Sequence, residues 1–385
     1  MSRTRTRLLR TALLAAGVLA AAFTVVFLRF EADPTVADDP GDLAEQAAVA
    51  LRGARAEGAG RRAPVTLARA EELYAEALLE RRRQQLRFRW LRDFREARAA
   101  LEAAAGRAED AIALSQRSVR RDRTVAARVL AAADAAVASL GGTEDRIWMA
   151  DSTRQRLQRA RALASEARSF MDAEAYADAA ARARSAREEA EAVAAALRGA
   201  TVRFTDDDHI GTWRQWAAET VAWSKRSGKT AVVVDKDAHR VLVYQAGQVV
   251  REYGAELGWN NVGDKRHQGD GATPEGRYKV VEMKGRGRSR YHKALLLDYP
   301  NREDVAALNE LKAAGAVPAG TRAGGLIEIH GEGGRGKDWT DGCVAITNAQ
   351  MDWLFARVGV GTPVTIVGSL SGDGAFAEVA RRLER

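Results

Sequence analysis

The spacing of apolar positions along this chain changes character twice. From residue 65 to 199 the residues are mostly Ala, Leu, Arg and Glu, and the apolar ones recur every three and four positions, as on one helix face. Tyr176, Ala179, Ala183, Ala186, Ala190, Val193 and Leu197 form an unbroken stripe, with Gly199 placed as a C-cap. Leu157, Ala160, Ala164, Ala167 and Met171 form a second. Leu67, Ala70, Tyr74 and Ala77 begin a third, which Leu86, Trp90, Phe94, Ala97 and Leu101 continue. Gly141 and Gly142 divide the region, and the small residues on its stripes predict an all-α region (65–199) of helical hairpins or a coiled coil. Residues 200–228 predict a connecting helix. Its Trp213, Trp216 and Trp223 are expected to pack on a neighbouring domain in preference to stacking on a glycan.

At Thr230 the character turns to short strands. Residues 231–234, 240–244 and 248–253 are divided by Asp237-Ala238 and Ala246-Gly247 turns. Further strands are predicted over 277–281, 294–297, 325–330 and 363–367. Helices are predicted over 305–314 and from Thr347, where Thr347 and Gln350 make a capping box. Residues 229–368 therefore read as a mostly-β domain, and 369–385 as a tail or short helix.

The amino-terminal pattern is different again. Arg3, Arg5, Arg7 and Arg10 form a basic segment (1–10) before an uncharged apolar run. That run predicts an uncleaved transmembrane anchor over 11–28, with the basic segment in the cytoplasm and the rest of the chain on the periplasmic or extracytoplasmic side. Residues 29–64 read as a linker with at most a short helix.

Composition narrows the function classes. The chain has 60 basic and 52 acidic residues, a formal charge of +8, with the two signs interleaved. Interleaving belongs to solvated helix faces, not to the concentrated basic footprint of a nucleic-acid binder, so no nucleic-acid partner is expected. The helices carry no acid clusters or His pairs and read as a spacer or a dock for a protein partner. One cysteine, Cys343, rules out an internal disulfide and any zinc site built on cysteines.

A lone thiol in an exported chain is either buried and inert or kept for its reactivity. In 325–330, Ile327 and Ile329 point one way and Glu328 and His330 the other. With the isoleucines in the core, His330 faces a cleft or solvent. Acyl transfer needs a soft nucleophile, a base and fixed donors for the developing oxyanion. Cys343 and His330 supply the first two, and imidazole can both deprotonate a thiol and stabilise the thiolate. Gly342 allows a tight turn in which its own N–H and that of Cys343 can point at one oxygen. Taken singly, each of Cys343 and His330 reads more readily as a packing residue.

Four motifs stand in order here: Gly269-Asp270-Gly271-Ala272-Thr273-Pro274-Glu275-Gly276-Arg277-Tyr278, Asp298-Tyr299-Pro300-Asn301, Ile329-His330-Gly331, and Thr340-Asp341-Gly342-Cys343-Val344. In these the domain resembles the L,D-transpeptidase (YkuD-type) catalytic domain, over a little more than a third of the chain. The resemblance implies a β-sandwich-like fold, Cys343 as the acylated nucleophile, His330 as its base and the Gly331 carbonyl orienting the imidazole. Gly342 and Cys343 would supply the backbone donors. It implies peptidoglycan stem peptides as substrate, attacked between the diamino acid and the terminal D-residue. Many members have histidine and arginine where this chain has Asp341 and Ala345. Arg286, Arg288, Arg290 or Lys293, in a loop with Tyr291 and His292, is then either the holder of a substrate carboxylate or, equally well, part of a solvated basic loop. Trp339, Thr340, Asp341, Arg290, Tyr291 and His292 are the expected substrate contacts.

The run 331–336 matches G-x-G-x-x-G, but no helix opens after it, so it reads as a flexible loop over the active site and not as a nucleotide site. No cofactor and no metal are expected. Two other readings remain: an L,D-carboxypeptidase or endopeptidase that hydrolyses the same thioester, and a non-catalytic wall-binding scaffold.

Overall fold

The computed structural model describes residues 3–32 and 38–384. The chain divides within one long helix into two compact units, Met1–Val125 and Ala126–Arg385.

The first unit begins with α1 (Arg3–Ala32). The expected membrane span over 11–28 is not found. Among the described residues no helix is long and apolar enough to cross a membrane. Residues 1, 2 and 33–37 of the expected basic segment and linker lie outside the described residues.

The linker expectation also gives way. α2 (Gly41–Ala56) buries Ala44, Ala47, Leu51 and Ala54 at helical spacing. They pack with Leu67, Ala70 and Ala77 of α4 (Pro64–Gln85) and with Leu101, Ala104, Ala108 and Ala111 of α5 (Arg95–Ser139). A four-residue helix, α3 (Ala59–Arg62), turns the chain between α2 and α4. The stripe expected to run from Leu67 to Leu101 breaks in the middle. α4 stops at Gln85, and 86–94 form a loop with a 3-10 turn at Arg89–Leu91. Phe94 is buried at the foot of α5, whereas Leu86 and Trp90 point outward.

The second unit opens with the end of α5 and the hairpin of α6 (Asp151–Asp172) and α7 (Tyr176–Thr201). Every member of the predicted α7 stripe is buried. α7 does not cap at Gly199, because Leu197 and Thr201 are buried and packing carries the helix past the glycine. α8 (Asp207–Ser227) starts where the Asp206 carboxylate accepts the His209 N–H, and ends at Gly228, whose φ of 69° a side chain would resist. Trp213 of α8 is buried against Phe204, which in turn meets Phe376, so it is a packing residue.

The rest is one eight-stranded sheet in the order β3-β2-β1-β8-β4-β5-β6-β7. The strands are β1 (Thr230–Asp235), β2 (Arg240–Gln245), β3 (Gln248–Gly254), β4 (Gly276–Lys284), β5 (Ala294–Leu297), β6 (Glu328–His330), β7 (Val344–Ala345) and β8 (Pro363–Val367). Pairing is antiparallel except β1–β8 and β6–β7. β4 is shared: residues 276–279 pair with β8, and its later part pairs with β5 beyond a register shift between Val280 and Glu282. The sheet therefore curls about β4, in place of the two layers of a sandwich. Its inner face holds Val232, Val243, Val280, Leu295, Ile329, Val344 and Ile366. Val233, Leu242 and Val367 turn outward onto α8 and α11 (Ala375–Glu384). α9 (Arg302–Ala313) and α10 (Asn348–Phe355) both begin with a capping box.

Candidate active site

Register builds the site. β6 and β7 run parallel with Ile329 opposite Val344 and His330 opposite Ala345. Ile329 and Val344 both enter the inner core, so Glu328, His330 and Cys343 share the other face. Cys343 extends β7 beside Glu328, and a diagonal of about 8 Å separates its backbone from that of His330.

His330 is fully buried. Its Nδ1 lies 2.6 Å from the Gly331 carbonyl oxygen, so Nδ1 carries the hydrogen and Nε2 the lone pair. Nε2 is buried without a hydrogen-bond partner. The Tyr291 ring lies flat on the imidazole, and the Trp339 ring meets it edge-on at 5.8 Å. Burial pushes the imidazole down to about 4. Cys343 is half-buried, with Sγ 3.5 Å from the Leu326 carbonyl oxygen. Burial pushes its thiol up to about 11, against a lowering contribution from the Glu328 N–H. At neutral pH the resting groups are thus an uncharged thiol and an uncharged imidazole, not a thiolate–imidazolium pair. Tyr291 neighbours both groups: its hydroxyl is pushed up by burial first and by Cys343 next.

The turn before Cys343 is tightly built. Gly342 has φ of 128°, and a Cβ there would stand 2.5 Å from the Ala272 carbonyl oxygen. Thr340 Oγ1 donates to the Cys343 carbonyl at 2.7 Å and accepts the Gly342 N–H at 3.2 Å. Thr340 is buried and its hydroxyl is spent inside the turn, so it braces the loop and is not a ligand contact. The same bond engages the Gly342 N–H, one of the two expected oxyanion donors.

Three more expected contacts are placed differently. His292 Nε2 is 2.7 Å from Asp352 Oδ1, and its Nδ1 accepts from Arg286, so both ring nitrogens are occupied. Trp339 Nε1 donates to Glu256 at 2.7 Å, and Arg335 covers one ring face at 3.5 Å. Asp341 is exposed and accepts the Trp259 Nε1–H at 3.3 Å. Of the basic candidates, Arg288 pairs with Glu282, Lys293 with Asp352, and Arg286 donates to His292. Arg290 is exposed, 6.0 Å from the Tyr291 ring, and pairs with no carboxylate among the described residues.

Glu256 is the residue that sequence reasoning missed. Its Oε1 accepts the Gly334 and Gly336 N–H groups at 3.1 and 2.6 Å, and its Oε2 accepts Trp339. Gly333 N–H bonds Ile346, and Glu332 N–H bonds Asn348. The glycine-rich run 331–336 is therefore a pinned loop and not a flexible one. A carboxylate set between Ala255 and Leu257 was the available signal. Behind it, Asp338 accepts from Leu257 N–H and Asn261 and pairs with His239 at 2.9 Å. A cavity of about 900 Å³ opens on this side, lined by Trp148, Trp259, Glu256 and Asp338. Among the described residues no group of three or more His, Cys, Asp or Glu could hold a metal ion.

Residues 229–366 match the YkuD family, the L,D-transpeptidase catalytic domain. The YkuD domain spans β1 to β8 of the curled sheet. Solved structures with similarity to the chain include Bd1075 of Bdellovibrio bacteriovorus, at 22% identity over 41% of this chain and 54% of that one, with a TM-score of 0.29. An L,D-transpeptidase from Mycobacterium smegmatis is 18% identical over 36% and 58%, with a TM-score of 0.22. One from Xylanimonas cellulosilytica is 20% identical over 36% and 60%, with a TM-score of 0.25. In each case the chain spans less than two thirds of the other's length. No curated protein matches the chain.

Proposed function

We propose that the YkuD domain is a cysteine-dependent L,D-transpeptidase acting on peptidoglycan stem peptides, on the extracytoplasmic side of the cell membrane. The observation that carries this reading is the His330 imidazole, held by Gly331 so that an unpartnered Nε2 lies on the sheet face that Cys343 shares. Cys343 Sγ attacks the carbonyl carbon between the diamino acid and the terminal D-residue while Nε2 takes the thiol proton. The Cys343 N–H receives the oxyanion, joined by the Gly342 N–H when Thr340 releases it. As the tetrahedral centre collapses, the imidazolium returns the proton to the departing amine, leaving a thioester on Cys343. An acceptor amine resolves the thioester and regenerates the thiol. Exposed Arg290 is the group offered to a substrate carboxylate, with Tyr291 and Asp341 at the rim.

Incubating the full chain with defined disaccharide-tetrapeptides and weighing products and protein tests the reading. Cross-linked dimers, free D-amino acid and an acyl adduct that disappears in Cys343→Ala are expected. Trimmed monomers alone would replace transfer by hydrolysis. A folded chain with neither adduct nor turnover would leave a wall-binding scaffold as the better account.

A further inference from the structure

The loop between α4 and α5 presents its apolar side chains to solvent. Leu86 is 75% exposed, Phe88 71%, Trp90 61% and Leu91 46%, and the Phe88 and Trp90 rings stack at 5.5 Å. Folding normally hides such residues, and a contiguous exposed apolar patch marks a contact surface.

The loop is held in this posture from behind. The buried Gln84 side chain accepts the Asp93 N–H and an Arg87 N–H, and its amide donates to Glu80. Arg92 spans the loop, donating to the carbonyls of Arg87 and Gln85. Phe94 anchors the far end. The outward side chains therefore have a fixed backbone under them.

Charge selects the partner. Arg87 and Arg89 alternate with the apolar residues, Arg82 and Arg92 flank them, and none of the four forms a close ion pair with a carboxylate among the described residues. The acidic groups nearby are engaged: Glu80 with Arg83 and Gln84, Asp39 with Arg81, and Asp93 with Arg95. Rings and leucines set among Arg87, Arg89 and Arg92 match a layer that is apolar inside and anionic at its face. Asp38 and Asp39, shortly after the end of α1, lie against α4 and α5 at this same end through Arg81 and Arg98.

We propose that residues 86–91 form an interfacial tip that seats Phe88 and Trp90 among the headgroups of an anionic lipid surface. Arginines attract the surface from a distance, and the rings and leucines enter it.

The single native cysteine makes a local test feasible. In full chain carrying Cys343→Ala, an environment-sensitive fluorophore is placed at Phe88→Cys. The control label is at Gln116→Cys, about 30 Å further along α5. With vesicles of equal parts phosphatidylglycerol and phosphatidylcholine, label 88 should shift blue and be quenched severalfold by spin-labelled acyl chains. Label 116 should not change. Adding Arg87→Glu and Arg89→Glu, or raising salt from roughly 0.1 to about 0.5 M, should remove most of the shift. Label 88 unchanged while the chain sediments with the vesicles overturns the proposal, as does failure to bind them. An equal response to pure phosphatidylcholine, or a concentration-dependent shift without vesicles, overturns it too, the last in favour of self-association.

Discussion

The Tyr291 ring lies parallel to the His330 imidazole, their centroids 3.6 Å apart and their planes 7° apart. This stack completes the burial that holds the imidazole near 4, well below its usual range. The competent base is the neutral form, so the sign is fixed: activity is full above that value and falls as acid protonates Nε2. The kcat/KM of the wild-type chain should be flat from about pH 5 to neutrality and fall about tenfold per unit below about 4. Tyr291→Ala uncovers the imidazole and should move this limb up toward about 6.5. A wild-type limb already near that value would contradict the burial argument.

Glu256 orders the loop beside the base. Glu256→Ala removes the acceptor of Gly334, Gly336 and Trp339 together. An unsatisfied buried donor costs about 1–3 kcal/mol. The variant should melt several degrees lower and lose about tenfold or more in kcat/KM, because Trp339 loses its tether against His330. Unchanged melting and kinetics would mean that the glycine-rich loop stands without it.

Glu275 lies in the family-like motif, but its surroundings make it structural. Arg203 reaches it at 2.6 Å and Lys236 at 2.9 Å, with the carboxylate almost wholly buried. Burial alone would raise the carboxyl; Lys236 and Arg203 outweigh it and hold it well below the ordinary range. Its contribution is therefore present above the ordinary glutamate pKa and lost as pH falls through the depressed one. Glu275→Gln removes the carboxylate hydrogen-bonded to buried Lys236, leaving Asp264 as its remaining counter-charge, and should cost about 3–5 kcal/mol at pH 7, read by urea unfolding. A loss below about 0.5 kcal/mol would show that the network is dispensable.

Local pattern was legible where one residue's surroundings are set by its sequence neighbours. The α7 stripe, the β5 and β8 bounds and the Thr347–Gln350 capping box follow from spacing alone, because periodicity fixes which face is buried. It failed where a segment's partner is distant. α2 looked like a linker because its alanines gain meaning only against α4 and α5. β7 has two residues and exists only by pairing with β6.

The sequence by itself determined the identity of the chemical groups: one thiol, a histidine on the face opposite two isoleucines, and glycine where a turn must pass close to Ala272. Tertiary structure decided their state. Whether Thr340 and His292 are free or spent, which loop a carboxylate at 256 holds, and how far burial moves the His330 and Cys343 pKa values all depend on residues far apart in the chain. Hydrogen bonds and desolvation are set by what packs around a group, and chain order does not record that.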